Sequence, residues 1–253
     1  MTTLRQWLEC EPFALSLSAG FFGFFAHAGM LRALEDEGLT PTRVSGSSAG
    51  ALVAGLWGSG RHSSDLERML AMLKRQEFWD PGFGAGLLKG DRFRQKLHSE
   101  LAVRTFDDCR VPVAISVFDV FGRRGAVVES GDLAAAIHAS CTYPGLFQPV
   151  KIAGRTYIDG GITDRSGLRG MPKGERVLYH HLSTRSKVRG RSKKLSWFPR
   201  RDGMLPLIIA DIPAVGPFKL HRGMVAFEVA RKAVQGALDT TVPEPGGDPH
   251  VIG

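Results

Sequence analysis

The chain has 253 residues, 43% of them hydrophobic, enough to bury the core of one large α/β domain or of two small ones. No apolar run reaches the roughly 18–20 residues of a membrane helix, and residues 1–12, which carry Glu9 and Glu11, lack the basic start and apolar centre of a signal peptide. The net charge of +8 arises from 33 bases against 25 acids, and eight of those bases crowd into residues 183–201, which hold no acid; the rest of the chain is balanced.

A cytoplasmic protein is the expectation from these bounds. Cys10, Cys109 and Cys141 are scattered, odd in number and without C-x-x-C spacing, so they read as reduced thiols, and no metal site or cofactor is implied. A catalytic thiol at Cys141 is the rival reading.

Residues 13–18 read as a first strand, apolar enough for the centre of a sheet. The turn Ala19-Gly20-Phe21-Phe22-Gly23 follows, then a helix over 24–37 with Leu31 and Leu34 on its buried face and Gly38 as its stop. Strand, glycine turn and helix make an anion site, but neither G-x-G-x-x-G nor G-K-[ST] is present. The turn is then either structural or a source of oxyanion donors. Further helices are expected over 63–76 and 91–101, with an aromatic connection over 78–88. Strands are expected over 111–118 and 126–129, and a helix over 133–140 started by Ser130-Gly131-Asp132. A hairpin over 150–158 turns at Ala153-Gly154 and delivers Asp159-Gly160-Gly161. Strands over 176–182 and 206–210, a helix over 222–238 and a loose tail over 243–253 complete the chain. There is no internal repeat and no linker, so residues 1–253 read as a single α/β domain.

The stretch that organises this pattern is Val44-Ser45-Gly46-Ser47-Ser48-Ala49-Gly50. It is a G-x-S-x-G elbow, preceded by a short strand and followed by an apolar run of helix length, which is the context the motif requires. Gly46 and Gly50 would let strand and helix backbones approach, and the helix N-terminus would face Ser48 with free amides.

Three stretches together resemble the patatin-like phospholipases: this elbow, the Asp159-Gly160-Gly161 turn with its approach over 139–150 (Ala-Ser-Cys-Thr-Tyr-Pro-Gly-Leu-Phe-Gln-Pro-Val), and the glycine loop at 19–23. The resemblance covers about residues 13–167. It implies a three-layer α/β sandwich, a central and mostly parallel sheet between helices. It also implies a Ser-Asp dyad with Ser48 as nucleophile and Asp159 as base, Gly160 and Gly161 turning the chain tightly, and an oxyanion hole from Gly20, Phe21, Phe22 and Gly23, with Gly20 and Gly23 as the expected pair. The sequence departs from the family pattern at Phe22, where an arginine is common, and at Gly167, where a proline is frequent. A Ser-His-Asp triad drawing on His27, His138, His180, His221 or His250 is the competing constellation.

The implied activity is hydrolysis of carboxylic esters in acyl lipids or phospholipids. An esterase or thioesterase on soluble acyl groups and a catalytically silent membrane-binding module are the alternatives. Within the basic segment, Arg189, Arg191, Lys193 and Lys194 would meet anionic headgroups, and Trp197 and Phe198 would sit at the interface. That would make the protein peripheral on the inner membrane face. A plain solvated loop and a nucleic-acid patch use the same charges, and no nucleic acid is expected as partner.

Overall fold

The computed structural model describes residues 2–182 and 199–253. The strands are β1 (Ala14–Leu17), β2 (Arg43–Ser47), β3 (Gly86–Leu88), β4 (Val113–Asp119), β5 (Arg124–Val128), β6 (Gly145–Phe147), β7 (Val150–Ile152), β8 (Arg155–Asp159), β9 (Val177–His181), β10 (Met204–Ile209) and β11 (His250–Ile252). The helices are α1 (Leu4–Glu9), α2 (Phe24–Asp36), α3 (Ala49–Gly58), α4 (Ser63–Met72), α5 (Asp91–Glu100), α6 (Leu133–Ser140) and α7 (Gly223–Ala237).

Nine strands form one mixed sheet in the order β11-β10-β9-β1-β2-β4-β8-β7, with β5 also paired to β4. From β11 to β4 the pairing is parallel throughout, and β5 and β8 run antiparallel to β4. Parallel strands are buried on both faces, and every residue of β1, β9 and β10 is buried, the near-continuous apolar run of β10 most plainly showing it in sequence. This is the mixed α/β architecture, with a central sheet flanked by helices, that the sequence leads one to expect.

Leu15, Leu17, Val44, Ile115 and Leu178 join the main core with α2, α3, α6 and α7. All ten residues of α3 are buried, as expected of a helix that is apolar all round. Helices α2 and α7 cross in backbone contact: a Cβ on Gly29 would lie 2.1 Å from the Phe227 carbonyl oxygen. The opposite face of the sheet carries hydroxyls. Ser16 Oγ donates to the Ser166 carbonyl at 2.9 Å, Ser45 Oγ to the Gly167 carbonyl at 2.8 Å, and Ser116 Oγ to Asp164 Oδ2 at 2.6 Å. They dock residues 164–167 across the sheet.

Several segments differ from expectation, among them the connection over 78–88, whose end pairs as β3 with β6 in a separate two-stranded sheet. The helix expected over 63–76 ends at Met72, because Leu73 turns extended (φ −61°, ψ 122°) before a short 3-10 turn. The tail is not loose throughout: His250–Ile252 pairs in parallel with Leu207–Ile209 as an edge strand. Helix α1 was not expected; a Thr3–Gln6 capping box starts it, and Leu4, Trp7 and Leu8 bury one face.

Candidate active site

At the end of β2 the chain makes the sharp turn the motif demands. Ser48 has φ 53° and ψ −117°, a conformation that L-residues rarely adopt and that costs about 1–3 kcal/mol. The packing around it explains why it persists. A Cβ on Gly46 would lie 2.3 Å from the Gly50 carbonyl, and one on Gly50 would lie 2.1 Å from the Leu17 carbonyl oxygen. Strand and helix therefore meet backbone to backbone, and half-buried Ser48 stands at the N-terminus of α3.

Asp159 is brought to it through β4. Strand β2 pairs with β4 as far as Ser47 and Ser116, and β8 takes over the same flank at the next residue, Val117 opposite Asp159. With β5 on the other flank, the end of β8 abuts the end of β2. Ser48 Oγ donates to Asp159 Oδ2 at 2.7 Å, and the Gly161 amide donates to Asp159 Oδ1 at 2.7 Å. Asp159 is 5% exposed. Burial pushes its carboxyl above the usual aspartate range, while the bonds from Ser48 and Gly161 pull it part of the way back. Gly160 is required sterically, since a Cβ there would lie 2.1 Å from the Ser116 carbonyl oxygen.

A chain of polar groups beneath the pair has no motif of its own. The Ser48 amide donates to Ser140 Oγ at 2.9 Å, and Ser140 Oγ donates to the Ser116 carbonyl at 2.6 Å. The Asp159 amide donates to the Thr142 carbonyl at 3.0 Å. Ser140 and Thr142 lie in the run quoted above, but nothing in their spacing marks these roles.

In the glycine loop, Gly20, Phe21 and Phe22 line the same cavity as Ser48 and Asp159. Phe22 adopts φ 57°. The amides of Gly20, Phe21 and Phe22 have no acceptor among the described residues, whereas the Gly23 amide donates to the Gly20 carbonyl at 2.8 Å. Of the expected pair, the Gly20 amide faces no acceptor among the described residues and the Gly23 amide closes the turn. Gly23 packs on Leu182, whose Cδ1 would lie 2.1 Å from an added Cβ.

The histidines fall elsewhere. His27 Nδ1 lies 2.8 Å from His180 Nδ1, and His27 Nε2 lies 2.8 Å from the Ser18 carbonyl. His138 is buried against Phe93 and Phe147. His250 bonds Thr240 on the edge strand. Burial lowers His27 and His138 to about 4. Cys141 Sγ donates to the Ser48 carbonyl at 3.2 Å, and burial, then the Asp159 charge, raise its thiol well above its ordinary value. That environment disfavours a thiolate. Among the described residues no group of three or more His, Cys, Asp or Glu could hold a metal ion, and no helix is long and apolar enough to cross a membrane.

Ser48 and Asp159 open on an apolar cavity of about 570 Å³. Ala49, Leu52 and Leu56 of α3 form one wall, and Phe93 and Leu97 of α5 another. Exposed Phe21 and Tyr143 are ring neighbours at its edge, with centroids 6.4 Å apart, and exposed Ile162 lines it too. The expected anionic-surface residues Arg189, Arg191, Lys193, Lys194, Trp197 and Phe198 lie outside the described residues. Of the remaining bases in that segment, Arg200 pairs with Asp248 at 2.9 Å and Arg201 donates to the Met171 carbonyl.

A serine on a strand–turn–helix bend, held by a buried aspartate at the end of a parallel sheet, defines a class of α/β protein with an elbow-borne hydroxyl. The patatin-like phospholipase profile matches residues 15–171, and the chain belongs to that family. An uncharacterized NTE family protein of Mycobacterium tuberculosis is 29% identical over 154 residues, 60% of this chain and 43% of that protein. Neuropathy target esterase sws of Drosophila melanogaster is 25% identical over 167 residues, 62% of this chain and 12% of that protein. The chain thus spans less than half the length of these curated relatives. The crystal structure of VipD from Legionella pneumophila shares the fold, with a TM-score of 0.66 at 16% identity over 91% of this chain and 67% of that one.

Proposed function

We propose that the protein is a serine acyl hydrolase that cleaves carboxylic ester bonds of acyl lipids through Ser48 and Asp159. The observation that carries this reading is the 2.7 Å bond from Ser48 Oγ to Asp159 Oδ2 at the mouth of an apolar cavity. Asp159 takes the hydroxyl proton as Oγ bonds to the ester carbonyl carbon. The carbonyl oxygen becomes an oxyanion, met by the amides of Phe21 and Phe22 and by the first turn of α3. The ester C–O bond then breaks, the leaving alcohol takes the proton from Asp159, and the acyl group stays on Ser48. Water, deprotonated by Asp159, releases the acid and restores the serine.

A carboxylate is a weak base near neutrality, so its raised pKa helps, and preorganised amides supply much of the rate, about 10²–10³ for each donor. The apolar lining fits an acyl chain. The exposed aromatics at the rim support approach to a lipid layer, and the bases of residues 183–198 would add attraction to anionic headgroups. A cytoplasmic enzyme working peripherally at a membrane is the corresponding setting.

The test is hydrolysis of p-nitrophenyl esters and phospholipid vesicles by the wild type, Ser48→Ala and Asp159→Asn, with folding followed by circular dichroism. Turnover by the wild type and background rates from both folded variants are expected. Activity surviving in Asp159→Asn would assign the base elsewhere. A folded but silent wild type would reduce the site to a binding pocket.

A further inference from the structure

The cavity beside Ser48 has a charged far end. Along α3 the lining residues Ser48, Leu52 and Leu56 recur every four positions, so the cavity follows the helix for about 12 Å. Helix α5 forms the facing wall, and its direction is fixed by contacts at both ends. Gly90, before α5, lies against His138 on α6, whose last residue, Ser140, touches Ser48. At the other end Arg61 Nε donates to the Glu100 carbonyl at 2.5 Å, and the Ala102 amide donates to Ser59 Oγ at 3.1 Å, just beyond α3. Lys96 and Glu100 therefore stand at the Leu56 end, remote from Ser48.

There Lys96 Nζ bridges Glu77 Oε1 and Glu100 Oε1, each at 2.8 Å. The three side chains are 26–29% exposed and line the cavity. Lys96 and Glu100 also border a second cavity of about 170 Å³, which shares Leu56 and Met69 with the first and adds charged Arg61, Asp65 and Arg68 beside apolar Leu66 and Met72. The ion bridge thus stands where the apolar chamber meets one of mixed lining.

We propose that the Glu77–Lys96–Glu100 bridge is the end wall of the acyl site and sets the longest acyl chain it accepts. The proposal rests on the acyl-hydrolase reading of Ser48. A chain tip reaching the bridge would strip water from an ammonium and two carboxylates, which apolar carbon cannot replace. The 12 Å run leaves room for on the order of ten carbons before that point. Within it each added methylene gains affinity by about fourfold; beyond it the gain stops.

The test uses uncharged 2-alkanones of eight to seventeen carbons, competed against a fluorescent hydrophobic dye, so that binding is read without catalysis. Wild type, a variant in which the bridge is made apolar (Glu77→Leu, Lys96→Met and Glu100→Leu together) and Lys96→Arg are compared after circular dichroism confirms their folds. Wild-type affinity is expected to climb to about ten carbons and then level off. In the triple variant, which leaves no charge at the wall, the break should move out by four or more carbons as the two cavities join, while Lys96→Arg keeps it. Affinity rising without a break in the wild type, an unmoved break in the folded triple variant, or no alkanone binding would overturn the wall. A matching series of p-nitrophenyl esters separates the two readings. A break in binding with no ester turned over would sink the hydrolase and leave the wall standing. Turnover without a break would do the reverse.

Discussion

Ser140 holds Ser48 by the backbone: its hydroxyl accepts the Ser48 amide at 2.9 Å while donating to the Ser116 carbonyl at 2.6 Å. One side chain thereby satisfies two main-chain groups that the elbow would otherwise leave unpaired. Ser140→Ala is expected to cost about 1–3 kcal/mol, because a buried amide and carbonyl each lose a partner. For a chain of this size that lowers Tm by about 2–4 °C per kcal/mol. Ester hydrolysis should lose kcat with KM little changed, because the elbow is disturbed and the cavity is not. Thermal melts and steady-state kinetics check both, and an unchanged kcat would show that the elbow holds without this bond.

The acid limb of kcat/KM should report Asp159. In the proposed mechanism its carboxyl is ionised to accept the Ser48 proton, and burial raises it above its ordinary 3.8. The rate is therefore expected to fall through a single protonation with an apparent pKa above 3.8. A midpoint at or below that value, in protein still folded by circular dichroism, would mean that a different group carries the proton.

The same shift has a consequence for stability. A carboxyl whose pKa is higher folded than unfolded favours the native state below its unfolded pKa, and that contribution is lost as pH rises through the folded pKa. Near pH 7 the buried Asp159 carboxylate is then a net cost. Asp159→Asn removes the charge and keeps an acceptor, so its Tm at pH 7 should equal or exceed that of the wild type, with the margin shrinking toward pH 4. Melts at the two pH values decide it.

Four buried histidines act in the opposite sense. Burial lowers His27, His138 and His181 to about 4 and His180 further. The unfolded chain takes up protons near 6.5 that the native state refuses. Stability should therefore fall as pH drops from 6.5 toward 4, by up to about 1.4 kcal/mol per pH unit for each histidine. Asp159 opposes this as one group against four. Both ring nitrogens of His138 are buried without a partner among the described residues, so His138→Phe, packed between Phe93 and Phe147, should flatten the slope in urea titrations at pH 7.5, 6 and 5. A slope equal to that of the wild type would remove His138 from the account.

Two glycines should respond oppositely to alanine. On Gly50 the new methyl would lie 2.1 Å from the Leu17 carbonyl oxygen, forcing β1 and α3 apart, so both stability and ester turnover should drop. On Gly236, inside α7 and exposed, nothing lies within 4 Å of it, and the gain in helix propensity should stabilise the fold by about 0.5–1 kcal/mol. Chemical denaturation of the two variants checks the contrast.

The elbow and most helices are legible in the sequence because they are local. Gly46, Ser48 and Gly50 fall within one turn, and the helix at 133–140 is bounded by Asp132, whose Oδ1 accepts the Ala135 amide at 2.8 Å. What stays hidden is what only folding brings together. Ser140 lies 92 residues from Ser48, and Ser116 lies 48 from Asp164, and serines have no pattern that pairs them across a sheet. The role of Gly23 is invisible because it depends on where a single amide points. The strand at His250–Ile252 is three residues long, too short to show alternation, and exists because β10 offers it an edge. The early end of α4 escapes notice because Leu73 continues the helical spacing while its backbone does not.

The takeover of one flank of β4 by β8 where β2 stops has a wider consequence. Ser48 and Asp159 are separated by 111 positions, yet their spacing is set by two consecutive rungs on one strand. The elements threaded between them that take no part in this pairing, α4, α5 and the β3–β6 ribbon, can lengthen, shorten or be exchanged without changing the distance from hydroxyl to carboxylate. The serine and aspartate are indexed to a shared ruler, and the cavity walls are free to be rebuilt around them.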